Sequence, residues 1–294
     1  MLKDTTYTMI VRDEILNPAG GLYNVLIRTI PNFEQTVILD TGSVDGTREL
    51  LEELTSQYPT LHVYDHPFEG YGPSRNRAKK LVQTKYSFCG DADELLPDIS
   101  VRLLKRELTA DPEIAHLITH IRSPQHGTKE LELSGGWNPR FHTVKDVRFR
   151  KECFEYLHIK EGSDRLPRLV DSIILLHFKP ANGNYLLKNE KWYNHLRKHM
   201  VENNSPSSIE GYIDWKLPDP TILIDYGIDM KNTYQQLKQM QIPIPEHIQA
   251  EFQSLAEYTG DRSYHINRRK HQLRLAAKNI LETLANSAKN SIFT

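Results

Sequence analysis

VILDTGSVDGTRE, residues 37–49, decides how the rest of the chain is read. Val37, Ile38 and Leu39 form an unbroken apolar run that closes on Asp40, as a strand buried on both faces does. Thr41-Gly42-Ser43 then makes a tight turn, and Asp45-Gly46-Thr47 opens a helix with Leu50, Leu51 and Leu54 on one face. In an open α/β sheet, ligands bind just outside the carboxyl ends of the strands. Asp40 therefore stands where a carboxylate can accept hydrogen bonds from a base or ribose. The same residues also suit a plain βα turn in which Asp and Ser only cap the helix.

The pattern repeats on either side. TTYTMIV (5–11), LHVYDH (61–66) and YSFCGD (86–91) read as further strands. Asn17-Pro18 supplies an N-cap and first-turn proline for a helix carrying Leu22, Val25, Leu26 and Ile30. Ser74 is expected to cap another helix that runs to Lys85 and buries Ala78, Leu81 and Val82. This alternation predicts an α/β fold with a doubly wound, mostly parallel sheet flanked by helices. From 112 to 180 the chain turns strand-rich, in IAHLITHI (114–121), KDVRFR (145–150) and SIILLHF (172–178). Helical patterns dominate beyond 185, at 185–200, 245–258 and 263–290, with 205–243 expected to be irregular. A boundary at Asn182-Gly183-Asn184 divides an α/β unit, 1–184, from a mostly helical extension, 185–294.

Composition narrows the classes. The 294 residues hold 37 Lys or Arg against 38 Asp or Glu, a net charge of −1 that argues against a strongly basic nucleic-acid binder. Cys89 and Cys153 make neither a disulfide framework nor a CxxC knuckle, which points to reduced thiols. No apolar run resembles a signal-peptide core or approaches the ~20 residues of a membrane span, so a cytoplasmic location is expected. The segment 261–294 carries seven Lys or Arg against two acids, a basic helix that either docks on a core or meets an anionic surface at the membrane periphery.

Two further stretches carry chemistry. CGDADE (89–94) sets Asp91 and Asp93 at a strand's carboxyl end with no cation beside them in sequence. Such a pair suits a hard divalent ion, Mg²⁺ or Mn²⁺, or else is a solvated acidic turn. FEGYGPSRNRAKK (68–80) places Arg75 and Arg77 in what reads as the first turn of a helix. Cations there oppose the helix dipole, which hints at a bound anion. His116 and His120 share a strand face but lack a third ligand and read as sheet histidines, whereas Trp137 could stack on a sugar ring.

MIVRDE, VILDTGSVDGT, FEGYGPSRN and DADE, in that order over residues 7–178, resemble the family 2 glycosyltransferases of the GT-A fold, in particular their lipopolysaccharide-core sugar transferases. The resemblance implies a metal-dependent transfer of sugar from a nucleotide-diphosphate sugar to a glycan or other hydroxyl acceptor, with inversion. It places Arg12, Asp13, Asp40 and Arg75 at the nucleotide sugar, together with Asp91 and Ala92 of the DxD motif. It assigns Mn²⁺ or Mg²⁺ to Asp91 and Asp93, with His177 as a further ligand, and makes Glu155 the general base. Phe154 stands where the family often has His before that glutamate. The other readings are transfer to a modified nucleic-acid base and a non-catalytic nucleotide-sugar or glycan-binding module.

Overall fold

The computed structural model describes residues 1–111, 115–124, 131–133, 138–151, 156–160, 168–180 and 216–259. Four strands form the parallel half of the main sheet: β1 (Leu2–Val11), β2 (Phe33–Asp40), β3 (Leu61–Asp65) and β4 (Tyr86–Cys89). Their order is β3-β2-β1-β4, so the chain winds outward from β1 to one side and returns to its other side with β4. The winding direction therefore reverses between β1 and β4, and that reversal opens a crevice at the strands' carboxyl ends. Val11, Asp40 and Asp65 are in register there, and Thr8 pairs with Cys89.

Beyond β4 the sheet becomes mixed. β8 (Asn138–Thr143) runs antiparallel to β4 and to β6 (His116–Pro124), which in turn pairs parallel with β11 (Arg168–His177). β5 (Glu94–Leu95) closes the far edge on β11, and β7 (Leu131–Leu133) pairs with β6. β9 (Val147–Arg150) and β10 (Tyr156–Ile159) form a separate two-stranded ribbon. The expected strands are thus present, and the parallel order is concentrated in the half that carries the crevice. His116 lies opposite His142 across β6 and β8, buried in the sheet.

Helices α1 (Leu22–Thr29) and α2 (Thr47–Gln57) bury the apolar faces that the sequence spacing gave them; α3 (Tyr71–Lys80) stops short of Lys85 and buries Ala78 but leaves Leu81 and Val82 half-buried beyond its end, and α4 (Asp98–Ala110) packs on β11. Two starts differ from expectation. Asn17 does not cap a helix at Pro18; its buried side chain instead accepts from Ala19 and Gly21 N–H and holds the loop before α1. α3 begins at Tyr71 with Gly70 as its N-cap, so Ser74 lies inside the helix, and Arg75 belongs to the second turn. The argument from cations in the first turn against the dipole does not hold.

Residues 216–259, expected to be irregular up to 243, contain α5 (Pro220–Asp225) and α6 (Met230–Gln239) before α7 (Glu246–Thr259). Asp219 caps α5 through Thr221 and Ile222 N–H, with Pro220 at its first position, and Asp229 caps α6 through Asn232 N–H. Their apolar residues Leu223, Met230, Leu237 and Phe252 join one hydrophobic cluster with Leu22, Leu26 and Ile15 of the α/β core. Asn24 of α1 donates to Thr233 of α6 (3.0 Å) inside that junction. The helical patterns at 185–200 and 263–290, the boundary at 182–184 and the basic segment 261–294 lie outside the described residues.

Candidate functional site

The crevice has two walls. On the β1–β2 side the chain leaves β1 through Arg12 and Asp13, the latter held at φ 54°. Asp13 is 5% exposed; its N–H donates to Ser43 Oγ (2.9 Å) and its carboxylate accepts from Val44 N–H (2.6 Å). Asp40 accepts from Gly42 and Ser43 N–H, both at 2.9 Å, and from the Ser43 hydroxyl at 2.5 Å. Asp40 thus closes the turn rather than capping α2, which starts at Thr47 with Gly46 as its N-cap, and with Asp13 it pins the TGS turn across the tops of two strands. Arg12 remains near the opening, its Nε 3.8 Å from Asp13.

On the β4 side, charge is concentrated. Arg75 of α3 donates to Asp91 Oδ1 (2.5 Å) and to Cys89 Sγ (2.9 Å). Arg140 of β8 donates to Asp91 Oδ2 (2.9 Å) and to Glu94 Oε1 (2.5 Å), and Glu94 Oε2 accepts from Asp91 N–H (2.9 Å). Burial raises the Asp91 pKa, but the two guanidiniums outweigh it and hold the carboxyl well below the usual carboxylate range. Burial, with Asp91 and Asp93 nearby, pushes Glu94 up to about 7 against the attraction of Arg140 and His177.

Asp93 faces a different partner. Its Oδ2 stands 3.4 Å from His177 Nε2, at the end of β11, and its carbonyl accepts from Phe178 N–H (3.0 Å). Burial lowers the His177 pKa, yet Asp93, Glu94 and Asp91 together raise it to about 9. At this separation Asp93 and His177 form an ion pair, and a small divalent cation between them would need the imidazole to give up its Nε2 proton. Asp91 has both oxygens on arginines, so the pair that the structure brings together is Asp93 with His177 rather than Asp91 with Asp93. No cluster of three or more His, Cys, Asp or Glu is disposed around one point among the described residues. A bound ion would take its remaining ligands from elsewhere.

The two walls are joined. Asn17 Nδ2 donates to the carbonyl of buried Ala92 (2.7 Å), fixing the DxD loop to the β1 loop. Gly90 admits the ring of Tyr7: a Cβ there would lie 1.8 Å from the tyrosine oxygen. From the helical segment, Lys216 donates to the carbonyls of Arg12 (3.2 Å) and Asp13 (2.7 Å) and to Glu14 Oε1 (2.6 Å). Burial pushes Glu14 up to about 7 despite Lys216.

Arg12, Asp13, Asp40, Asp91, Ala92, Asp93 and His177 therefore all stand at or just beyond strand ends, with Arg75 reaching Asp91 from α3 and the Asn17–Ala92 bond tying the two walls together. Glu155, with Trp137 and Cys153, lies outside the described residues. Arg77, grouped with Arg75 in the sequence, leaves α3 toward another groove. Arg140, Glu94, Asn17 and Lys216 were not singled out as site residues. Glu94 closes the DADE stretch quoted for the resemblance, but nothing in sequence joins it to Arg140, 46 residues on.

A doubly wound half-sheet with carboxylates and arginines gathered at its reversal point is the open α/β class, whose ligand position lies at that point. A sequence model for glycosyl transferase family 2 matches residues 22–178, more than half of the chain, and the chain belongs to that family. The match contains Asp40, Arg75, Asp91–Asp93 and His177 and begins after Arg12 and Asp13. The lipopolysaccharide core biosynthesis glycosyltransferase LpsC of Rhizobium meliloti (strain 1021) is 25% identical over 183 residues, 58% of this chain and 63% of that protein. The chain thus spans less than two thirds of that relative. Crystal structures of S. aureus TarS 1–349, alone and with UDP-GlcNAc, show 13% identity with TM-scores of 0.44 and 0.45. Each aligns with 86% of this chain, covering 90% and 71% of the respective TarS chains.

Proposed function

We propose that the protein transfers a sugar from a nucleotide-diphosphate sugar to a hydroxyl of a saccharide acceptor. The observation that carries the reading is the Asp93–His177 pair beside arginine-clamped Asp91, at the sheet's reversal point, in a family 2 chain. The name of the LpsC relative supports a saccharide as acceptor.

In this reading Arg12, Asp13 and Asp40 border the nucleoside, with the TGS turn as the floor of its pocket. Arg75 and Arg140 hold Asp91 and the Ala92 backbone in place, so Asp93 is presented in one orientation beside His177. Asp93 and His177 would hold the divalent cation; one carboxylate oxygen and one imidazole nitrogen suit Mn²⁺ better than Mg²⁺. When bound, such an ion supplies positive charge against the diphosphate leaving group. The acceptor oxygen bonds to the anomeric carbon as that carbon's bond to the diphosphate breaks. The bonding pair stays on the diphosphate, and the hydroxyl proton passes to a carboxylate base. Glu155 is the base that the resemblance assigns, and attack opposite the leaving group inverts the carbon. Residues 1–184 form the catalytic unit in this scheme, and 185–294 an extension that reaches the crevice through Lys216. No helix among the described residues is long and apolar enough to cross a membrane. The proposed location is the cytoplasm, or the membrane surface through the basic segment 261–294.

The test is thermal shift with UDP-, GDP- and TDP-sugars, each with Mn²⁺, Mg²⁺ or EDTA, followed by nucleoside-diphosphate release. One donor should stabilise the protein by about 2.7 kcal/mol at a hundredfold excess over Kd, in a metal-dependent way that Asp93→Asn abolishes. Metal-independent binding and release in both proteins would refute the assignment of Asp93.

A further inference from the structure

On the face of α3 turned away from Asp91, the helix and the ribbon strand β9 are clamped together at two points. Asn76 Nδ2 donates to Phe149 O (2.7 Å) while Phe149 N–H donates to Asn76 Oδ1 (2.9 Å). One turn earlier, Gly72 N–H donates to Lys151 O (3.2 Å), and a Cβ at Gly72 would stand 2.2 Å from that oxygen. Beside this seam runs an open groove of about 740 Å³. Seven Lys or Arg line it against one carboxylate, Glu69, in a chain whose net charge is −1.

The cations are placed by secondary structure. β9 alternates, with Val147 and Phe149 turned to the core and Arg148 and Arg150 exposed, about 7 Å apart on one face. α3 contributes exposed Arg77 and Lys80, one turn apart, with half-buried Lys79 beside them. Lys79 Nζ is tied to the carbonyls of Val144 and Val147. Burial, then the charges of Lys160, Lys80 and Arg148, push the Lys79 pKa down. Among the described residues no carboxylate forms an ion pair with Arg77, Lys80, Arg148 or Arg150. By contrast Arg75, Arg48 and Arg168 are all paired with acids. A groove that gathers seven cations against Glu69 alone, four of them without an ion pair among the described residues, is stabilised when anions enter it.

We propose that this groove is a second binding site, separate from the crevice, for a compact solute carrying two or more phosphate groups. The concave shape favours discrete phosphates over a flat lipid surface. Phe149, the one aromatic residue among the described lining, is buried, so the described lining offers no exposed ring on which a nucleic-acid base would stack. Arginines in neighbouring outward positions of a strand offer the forked donors that phosphates take up in bidentate fashion. The proposal does not depend on the sugar-transfer reading.

The experiment is calorimetric titration of the full chain with inorganic tripolyphosphate in EDTA. Saturable one-to-one binding is expected, weakened about tenfold or more by Arg148→Gln/Arg150→Gln, whose side chains are exposed and whose loss leaves the core untouched. Arg102→Gln/Lys105→Gln, an equal charge change on α4, should leave affinity within about twofold, as should Asp93→Asn in the crevice. Absence of saturable binding would overturn the proposal, as would equal weakening by the two double variants. So would Arg148- and Arg150-dependent binding of anionic phosphatidylglycerol vesicles or single-stranded DNA in the absence of tripolyphosphate binding.

Discussion

Replacing Arg140 with methionine keeps a long unbranched side chain and removes one charge shared by Asp91 and Glu94. Asp91 retains Arg75 and is one-third exposed, so its loss is modest, about 1.5–3 kcal/mol for one hydrogen bond to a charged group. Glu94 is 2% exposed and loses its nearest cation. Its pKa in the folded protein is already about 7, above the ordinary glutamate value of 4.5, and without the guanidinium it rises further. A carboxyl with a raised folded pKa is protonated in the folded protein while ionised in the unfolded chain. Its burial therefore destabilises increasingly as pH rises toward that folded pKa. Near about pH 6 both proteins carry a neutral Glu94, and the substitution costs only the Asp91 share. Above about pH 7 the parent ionises against Arg140 while the variant does not, so the penalty grows by about 1.4 kcal/mol per pH unit until the variant ionises too. At about pH 9, two units higher, the total should reach about 4–6 kcal/mol, overlapping the ~3–5 kcal/mol for breaking a buried ion pair. Urea unfolding of both proteins in EDTA at the two pH values reads this directly. A penalty below about 1 kcal/mol at the higher pH, or one equal at both, would refute the shared-arginine account.

Asn17→Ala removes three buried hydrogen bonds, including the tie to Ala92, and should cost about 2–4 kcal/mol in urea unfolding while weakening donor binding. Gly90→Ala forces Tyr7 out of its place and should lower the melting temperature by several degrees, for a cost of about 1–3 kcal/mol. Lys216→Met removes the ammonium that restrains Glu14, so the Glu14 pKa should move above about 7. The variant's melting temperature should then fall more steeply than the parent's as pH rises through about 7, by the same sign argument. Arg48→Gln, which breaks an exposed pair with Asp65, should change stability by no more than about 1 kcal/mol.

The parallel half of the sheet was legible because its strands are continuous apolar runs ending in acids, at Asp40, Asp65 and the Asp91 loop. Local chemistry also sufficed for α2, where Asp45 accepts from the N–H of Thr47, as its sequence context implied. Asn17 was misread for a simple reason: Asn-Pro is equally a loop and a cap, and a carbonyl 75 residues away decided between them. α5 and α6 carried readable starts, Asp219-Pro220 and Asp229, obscured by the short and proline-flanked apolar runs between them. The candidate site was legible as a set of residues but not as a set of pairs. DADE has no cation beside it in sequence, which suggested that both carboxylates were left for a metal. α3 and β8 supply two arginines to the first of them, and β11 gives a histidine to the second.

The contact between Lys216 and Glu14 also has a consequence in time. The two residues are 202 apart, and Asn24 and Thr233 are 209 apart. At translation speeds of about 5–20 residues per second, the β1 loop leaves the ribosome roughly 10–40 s before the lysine that binds it. During that interval the carbonyls of Arg12 and Asp13 have only water in place of Lys216, and the α1 surface that meets α6 is bare. The crevice wall therefore sets only once the helical segment 216–259 has followed it out of the ribosome.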